Sequence, residues 1–92
     1  MTNISPVTVR RFSAVMKNEK PIAIELSKAD GLLNRIKIES TSDNRVLYGY
    51  GHNAGLDIPY LKDKLNSFCE QIKDGTKLFK EILEWGLKNP NK

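Results

Sequence analysis

The hydrophobic pattern changes its period once along this chain, and that change constrains the fold more than any other feature. Between residues 7 and 51, apolar and polar residues alternate in short runs, which is typical of β-strands. After Gly55, apolar residues recur at intervals of three and four, which is typical of amphipathic helices. The sequence therefore predicts an α+β fold: a four-stranded, curved antiparallel β-sheet followed by helices on one sheet face.

The strand boundaries follow from the alternation and from the polar segments that interrupt it. The predicted strands cover residues 7–16, 21–27, 35–39 and 45–51. The predicted turns are the polar or glycine-containing segments 17–20, 29–31 and 40–44. In the third strand, Ile36 and Ile38 are expected to point inward and their charged neighbours outward. Residues 1–6 are expected to be a flexible lead, and 7–92 a single domain with a C-terminal helical extension.

Two apolar stripes predict the helices. Pro59 suits a first helical turn, and the first stripe contains Leu61, Leu65, Phe68, Cys69 and Ile72. The second stripe contains Leu78, Phe79, Ile82, Leu83 and Trp85. Asp74-Gly75 is expected to break the helix, Thr76 to cap the second one, and Gly86 and Pro90 to end it.

Ninety-two residues support only a thin core, because a chain of this length buries about 60–65% of its unfolded surface. Cys69 is the only cysteine and His52 the only histidine, which argues against internal disulfides and structural zinc. No cofactor is expected. Self-association is expected instead, since two stripes exceed what one side of a thin sheet covers. The predicted contact of a symmetric dimer consists of Leu65, Phe68, Ile72, Leu78, Ile82 and Trp85.

The composition predicts a globular protein, and the N-terminal residues predict a location inside the cell. Hydrophobic residues make up 39% of the chain and charged residues 28%, which is too apolar for a disordered protein. No apolar run approaches the 18 or so residues of a membrane span, so no membrane partner is expected. The N-terminal residues lack the pattern of a signal peptide, and an intracellular location is expected.

Catalytic chemistry finds little support in the residues. His52 would need an orienting carboxylate such as Asp57 to act as a general base, and it is expected to be a polar loop residue. Cys69 lies on an apolar stripe, which predicts a buried and inert thiol. The glycines from Gly49 to Gly55 have the spacing GxGxxxG, which fits a strand end rather than a dinucleotide loop. We therefore expect a non-enzymatic protein.

Basic residues interleaved with aromatic ones suggest a nucleic-acid partner. The net charge is +4, the isoelectric point is about 9.3, and all four arginines lie in the first half of the chain. Cations can follow phosphates while aromatic rings stack on unpaired bases, and alternate residues of a strand present both. The candidate contacts are Arg10, Phe12, Lys17, Lys20, Arg35, Lys37, Arg45, Tyr48 and Tyr50. The pattern also allows the alternative of a solvated sheet surface with Phe12 and the tyrosines in the core.

A resemblance favours the first interpretation. The hexapeptide Val7-Thr8-Val9-Arg10-Arg11-Phe12 resembles the opening of the transcriptional positive cofactor four family of single-stranded-DNA-binding proteins. Ile22-Ala23-Ile24 and Gly55-Leu56-Asp57-Ile58 are similar to later parts of that family in pattern and order, so the likeness covers roughly residues 7–73. The resemblance implies a curved-sheet dimer in which helices form much of the contact. It also implies that Arg10 contacts a phosphate and Phe12 stacks on a base, while Lys17 and Lys20 replace family lysines.

These observations predict a homodimeric single-stranded-DNA-binding protein that acts in replication, recombination or transcription, with proteins of those processes as further candidate partners. The alternative is a small protein-binding inhibitor or adaptor that uses its C-terminal helix, around Trp85, as the contact.

Overall fold

The structure is a computed structural model that describes residues 7–51 and 56–87. They form one antiparallel sheet with the strand order β1-β2-β3-β4, followed by helices. The strands are β1 (Val7–Val15), β2 (Pro21–Ala29), β3 (Leu32–Ser40) and β4 (Arg45–Gly51). The helices are α1 (Ile58–Cys69) and α2 (Gly75–Ile82), and α2 continues into a π-helical turn, Leu83–Leu87. The predicted α+β fold class is confirmed. The expected flexible lead, His52 and Pro90 lie outside the described residues.

The β2–β3 hairpin is longer than the sequence pattern suggested because its turn is as short as a hairpin turn can be. Asp30 and Gly31 both have positive φ, at 55° and 77°. Two such residues form the turn type whose twist matches that of the flanking strands, and Asp-Gly is a favoured sequence for it. Pairing therefore continues to Ala29 opposite Leu32, beyond the predicted ends of both strands.

The strand register assigns each side chain to one of two sheet faces. Residues that pair directly across neighbouring strands point to the same face. One such row runs Phe12, Ile24, Ile38 and Tyr48, and the row beside it runs Arg10, Leu26, Ile36 and Tyr50. We call the side that carries these rows the inner face. The helices pack against it, and Ile36 and Ile38 point inward as predicted.

The inner face and both helical stripes form one core. Its buried apolar side chains are Phe12, Ile22, Ile24, Leu26, Ile36, Ile38, Leu61, Leu65, Cys69, Ile72 and Ile82. Phe68, Leu78 and Trp85 are partly buried against the same cluster. The predicted dimer contact is therefore wrong for Leu65, Ile72 and Ile82, which are buried within one chain. Contact through Phe68, Leu78 and Trp85 stays a prediction. The sheet does cover both stripes, because the π-helical turn after α2 reaches β2 and β3.

Pro59 lies in the first turn of α1 as predicted, but the helix boundaries differ from the prediction at three points. One is the end of α1, which lies at Cys69, before the predicted break at Asp74-Gly75. Asp57 caps α1, its carboxylate accepting from the Tyr60 backbone N–H at 3.2 Å, and the helix begins at Ile58. Asp74, at φ 56°, precedes α2, so Thr76 is not the cap. Gly75 is required there because a Cβ would lie 1.8 Å from the Cys69 carbonyl oxygen. Gly86 does not end the helix; it lies buried within the π-helical turn.

Backbone hydrogen bonds attach the α1–α2 connection to the end of β1. Lys17 N–H donates to the Gln71 carbonyl at 2.8 Å, and Lys73 N–H donates to the Val15 carbonyl at 2.9 Å. The Lys73 ammonium also lies 2.6 Å from the Glu19 carboxylate. These contacts hold the helical layer at a fixed position along the sheet.

The position of Phe12 in the core makes a stability prediction. We expect Phe12→Ala to lower the free energy of unfolding by about 3–5 kcal/mol, because it removes a large buried ring and leaves a cavity. Val9→Ala is the matched control, since Val9 lies on the opposite face of the same strand and is 53% exposed. Its expected cost is under about 1 kcal/mol. Urea unfolding of both variants measures the difference, and equal costs would contradict this core.

Candidate nucleic-acid interface

The nine predicted nucleic-acid contacts do not form one surface. Four lie on the inner-face rows: Arg10, Phe12, Tyr48 and Tyr50. Two project from the opposite side of the sheet: Arg35 and Lys37. Three lie at the end of the sheet that carries the β1–β2 and β3–β4 turns: Lys17, Lys20 and Arg45. A single strand of DNA therefore cannot contact all nine on one sheet face.

Phe12 is a core residue. It is 6% exposed, lies opposite Ile24 on β2, and has the Arg10 guanidinium carbon 4.6 Å from its ring centroid. A ring enclosed in this way offers no open face to a base. The expectation that Phe12 stacks on DNA is wrong for this structure, because the helices cover the side of the sheet to which Phe12 points. Arg10 remains exposed at the edge of β1, and its phosphate contact stays a prediction.

Four charged side chains form a compensated network on the side of the sheet opposite the helices. We call Arg11, Glu25, Lys37 and Glu39 the ionic quartet. Arg11 lies 2.8 Å from Glu39 and 3.7 Å from Glu25. Lys37 lies 3.8 Å from Glu39 and 4.0 Å from Glu25. The quartet has no net charge, so Lys37 is not the free cation that the sequence suggested. Arg35, exposed beside it, lines an open hollow with Gly49, Tyr50 and Gly51.

The quartet makes the stability depend on pH in one direction. The Arg11 hydrogen bond and the nearby Lys37 charge lower the pKa of Glu39 from its usual 4.5. A lowered carboxyl pKa stabilises the fold above the unfolded-state value, and this contribution is lost as pH falls through the folded-state value. We expect Glu39→Gln to be less stable than the wild type at pH 7. This difference should close below pH 4.5. Unfolding curves of both proteins at both pH values measure it, and a difference that persists in acid would contradict the assignment.

Lys17, Lys20 and Arg45 supply positive charge at one end of the sheet. All three are exposed, and the turns that carry them are fixed by Asx contacts. Lys20 N–H donates to the Asn18 side-chain oxygen at 3.1 Å, and Arg45 N–H donates to the Asp43 carboxylate at 3.3 Å. The geometry is compatible with phosphate contacts, and those contacts stay predictions.

Three tyrosines and one lysine lie together where β4 meets α1, and we call Tyr48, Tyr50, Tyr60 and Lys64 the tyrosine edge. The Tyr48 and Tyr50 ring centroids are 6.4 Å apart, and Tyr60 approaches Tyr50 edge-on at 5.5 Å. Lys64 Nζ lies 5.9 Å from the Tyr60 ring centroid. Tyr60 is 47% exposed, which makes it the most accessible of the three rings. The strand pattern pointed to Tyr48 and Tyr50 but missed Tyr60. The signal for it was the aromatic–lysine spacing of four on the first helix.

Asp57 holds the tyrosine edge in place. Its backbone N–H donates to the Tyr50 hydroxyl at 3.0 Å, and its carboxylate caps α1 at Tyr60. One residue therefore fixes both the strand side and the helix side of the cluster. Burial raises the pKa of the Tyr48 hydroxyl, and the neighbouring Tyr60 and Tyr50 add to this effect. The role of Asp57 in this structure is that of a helix cap.

A small hollow of about 230 Å³ opens beside the tyrosine edge, between β4 and α1. Leu47, 41% exposed at a strand irregularity, stands at its rim with Tyr48 and Lys64. Ile38, Leu65 and Phe68 also line the hollow. The edge therefore combines exposed apolar and aromatic surface with a cation.

The described residues show no arrangement for metal chemistry, with no group of three or more His, Cys, Asp or Glu side chains placed to hold an ion. Cys69 is buried as predicted, at 4% exposure, and burial raises the pKa of its thiol to about 11. Within the described ranges, no helix is long and apolar enough to cross a membrane.

The buried thiol makes a prediction about reactivity. At pH 8 we expect Cys69 to react with Ellman's reagent only as fast as the protein opens, because a pKa near 11 leaves little thiolate and burial blocks access. The rate should rise to that of a free thiol in denaturing urea. Fast, stoichiometric labelling of the native protein would show that the α1 stripe is not packed as described.

Comparison of the chain with protein-family models, curated proteins and solved structures finds no match.

Proposed function

We propose that the protein binds single-stranded DNA without catalysing a reaction, and that the tyrosine edge is its base-contacting surface. The observation that carries the proposal is the exposed Tyr60 ring, supported from below by Tyr50 and flanked by Lys64. The β-β-β-β-α order, which the resemblance implied, supports the proposal. A role inside the cell, in replication, recombination or transcription, belongs to the proposal.

The chemistry of the edge suits an unpaired base. Stacking of a base on an aromatic ring tolerates any sequence, because every base has a π-face, while a nearby ammonium attracts the adjacent phosphate. Tyr60 presents the ring and Lys64 the charge, one helical turn apart on α1. A duplex keeps its bases stacked on each other and cannot offer a face to Tyr60. The proposal therefore includes a preference for single strands.

Additional phosphate contacts would come from cations outside the edge. Arg10 at the β1 edge and the turn residues Lys17, Lys20 and Arg45 are exposed, and they lie outside the ionic quartet. Contacts to phosphates add affinity without sequence preference. We expect weak, salt-sensitive binding with little dependence on base sequence.

Titration of a fluorescent oligothymidine tests the edge. We expect Tyr60→Ala to weaken binding by about 1–3 kcal/mol, roughly fivefold to 150-fold in Kd, with the salt dependence unchanged. Lys64→Ala should weaken binding and lower the slope of log Kd against log salt by about 0.7, the value for one phosphate contact to a single strand.

Lys62→Ala is the control for Lys64, because Lys62 is also exposed on α1 but lies on another side of the helix, away from the hollow. It should change affinity less than Lys64→Ala. A wild-type protein that ignores the oligonucleotide at 50 mM salt would end the proposal. If the Tyr60→Ala variant binds the oligonucleotide as tightly as the wild type, the tyrosine edge is not the base-contacting surface.

A second candidate function, a small protein-binding module, is favoured by the apolar hollow next to Leu47. The predicted form of that alternative used Trp85, which is partly buried against the core with Lys28 Nζ 4.3 Å from its ring centroid. The hollow is therefore the better contact for a partner protein. Leu47→Asp would abolish the binding of such a partner protein. Binding of an oligonucleotide, by contrast, would be weakened far less by Leu47→Ala than by Tyr60→Ala.

A further inference from the structure

The sheet has a second face that the helices do not cover, and we call it the outer face. It consists of Val7, Val9, Arg11, Ser13 and Val15 on β1, Pro21, Ala23, Glu25, Ser27 and Ala29 on β2, Leu32, Arg35, Lys37 and Glu39 on β3, and Val46, Gly49 and Gly51 on β4. Its valines are open: Val7 is 64% exposed and Val46 is 55% exposed. These exposed valines lie on the two edge strands, and the ionic quartet lies between them.

We propose that a second copy of this chain covers the outer face. The two sheets pack face to face about a two-fold axis that runs along the strands, between β2 and β3. This arrangement lays β1 of one copy over β4 of the other, and β2 over β3. The proposal does not rest on the proposed function, because the outer face and the tyrosine edge share no residue.

Charge complementarity supports this axis. The register places Arg11, Glu25, Lys37 and Gly49 in one row across the four strands. Rotation about the axis reverses the row, so that Glu25 of one copy faces Lys37 of the other, twice by symmetry. The carboxylate and the ammonium nearest the axis therefore meet an opposite charge. Within one copy, the Lys37 ammonium lies 4.0 Å from the Glu25 carboxylate and 3.8 Å from the Glu39 carboxylate. At these distances it can also pair with Glu25 of the second copy.

Side-chain size is complementary as well. In the neighbouring rows, the same rotation lays Ser27 against Arg35 and Ser13 against Val46. Each large side chain meets a small one. Packed sheets are turned by about 30° relative to each other, so the correspondence is closest near the axis, where the β2 and β3 pairs lie.

Gly49 provides the opening for Arg11. A Cβ added at Gly49 would meet no atom of the described residues within 4 Å, so none of those residues requires a glycine there. Glycine in a strand interior weakens the strand, and it often marks the place where another group approaches closely. Under the proposed rotation that group is Arg11 of the second copy.

The area is sufficient for a weak dimer. Four strands at about 4.8 Å and nine residues at about 3.3 Å give a face of about 19 by 30 Å, or about 570 Å². Two such faces bury about 1,100 Å² in projection, close to the lower limit of specific interfaces. A positively charged binding site for an anionic ligand explains the outer face less well, because the quartet at the centre of the face has no net charge. Dissociation in the micromolar range is expected.

Sedimentation equilibrium tests the dimer. We expect the wild-type protein at about 200 μM to have twice the 10.4 kDa mass of the chain, and to dissociate on dilution. A particle of 10.4 kDa across the whole concentration range would overturn the proposal.

Charge reversal tests the axis. Glu25→Lys places two ammonium groups opposite each other at both symmetric positions, and Lys37→Glu does the same with carboxylates. Each variant alone should dimerise at least about tenfold more weakly than the wild type. An equimolar mixture should recover the wild-type mass, because each variant then faces the opposite charge at both positions. A melt of each variant confirms that it is folded.

Lys62→Glu on the exposed side of α1 is the matched control, and it should leave the dimer unchanged. Failure of the mixture to recover, with both variants folded, would overturn the axis. Neither result depends on DNA, so a failed dimer and a failed DNA site are separate outcomes.

Discussion

Burial of one sheet face beneath a single layer of helices is the constraint on which the rest of the structure depends. Two short helices carry two apolar stripes, and both stripes pack against the inner face. This arrangement buries Phe12 in the core, places the tyrosines at the border between sheet and helix, and leaves the outer face uncovered by the helices. The location of the candidate contacts within the strands follows from which side of the sheet each strand position points to.

Much of the fold could be predicted from the sequence. The period of the alternation predicted the four strands and the order of the elements. For the fourth strand, the predicted first and last residues agree with those of the structure. It also gave the inward direction of Ile36 and Ile38. Turn and cap details were less accessible, because they depend on tertiary contacts. The start of α2 at Gly75 is fixed by the Cys69 carbonyl, a neighbour that no local pattern reveals.

The candidate site was harder to predict because alternation tells which residues share a face but not which face is buried. Arg10 and Phe12 do share one, yet it is the face that the helices cover. The same ambiguity underlies the prediction that the helical stripes form a dimer contact, since the alternation does not show that the inner face covers them. Tyr60 could not be predicted from the strand pattern because it lies on α1, outside the apolar stripe of that helix. The two proposed surfaces are compatible, since a sandwich of two sheets leaves each β4–α1 border open at its side.

The distance between helical layers in the assembled protein tests the central claim most directly. Spin labels at Lys80→Cys, an exposed site on α2, in a Cys69→Ala background would report it by pulsed electron paramagnetic resonance. Sheets pack about 10 Å apart and a helix is about 10 Å across, so dimers joined through their outer faces hold these labels roughly 30–40 Å apart. A distance below about 20 Å would mean that the helices meet each other, and it would contradict the account.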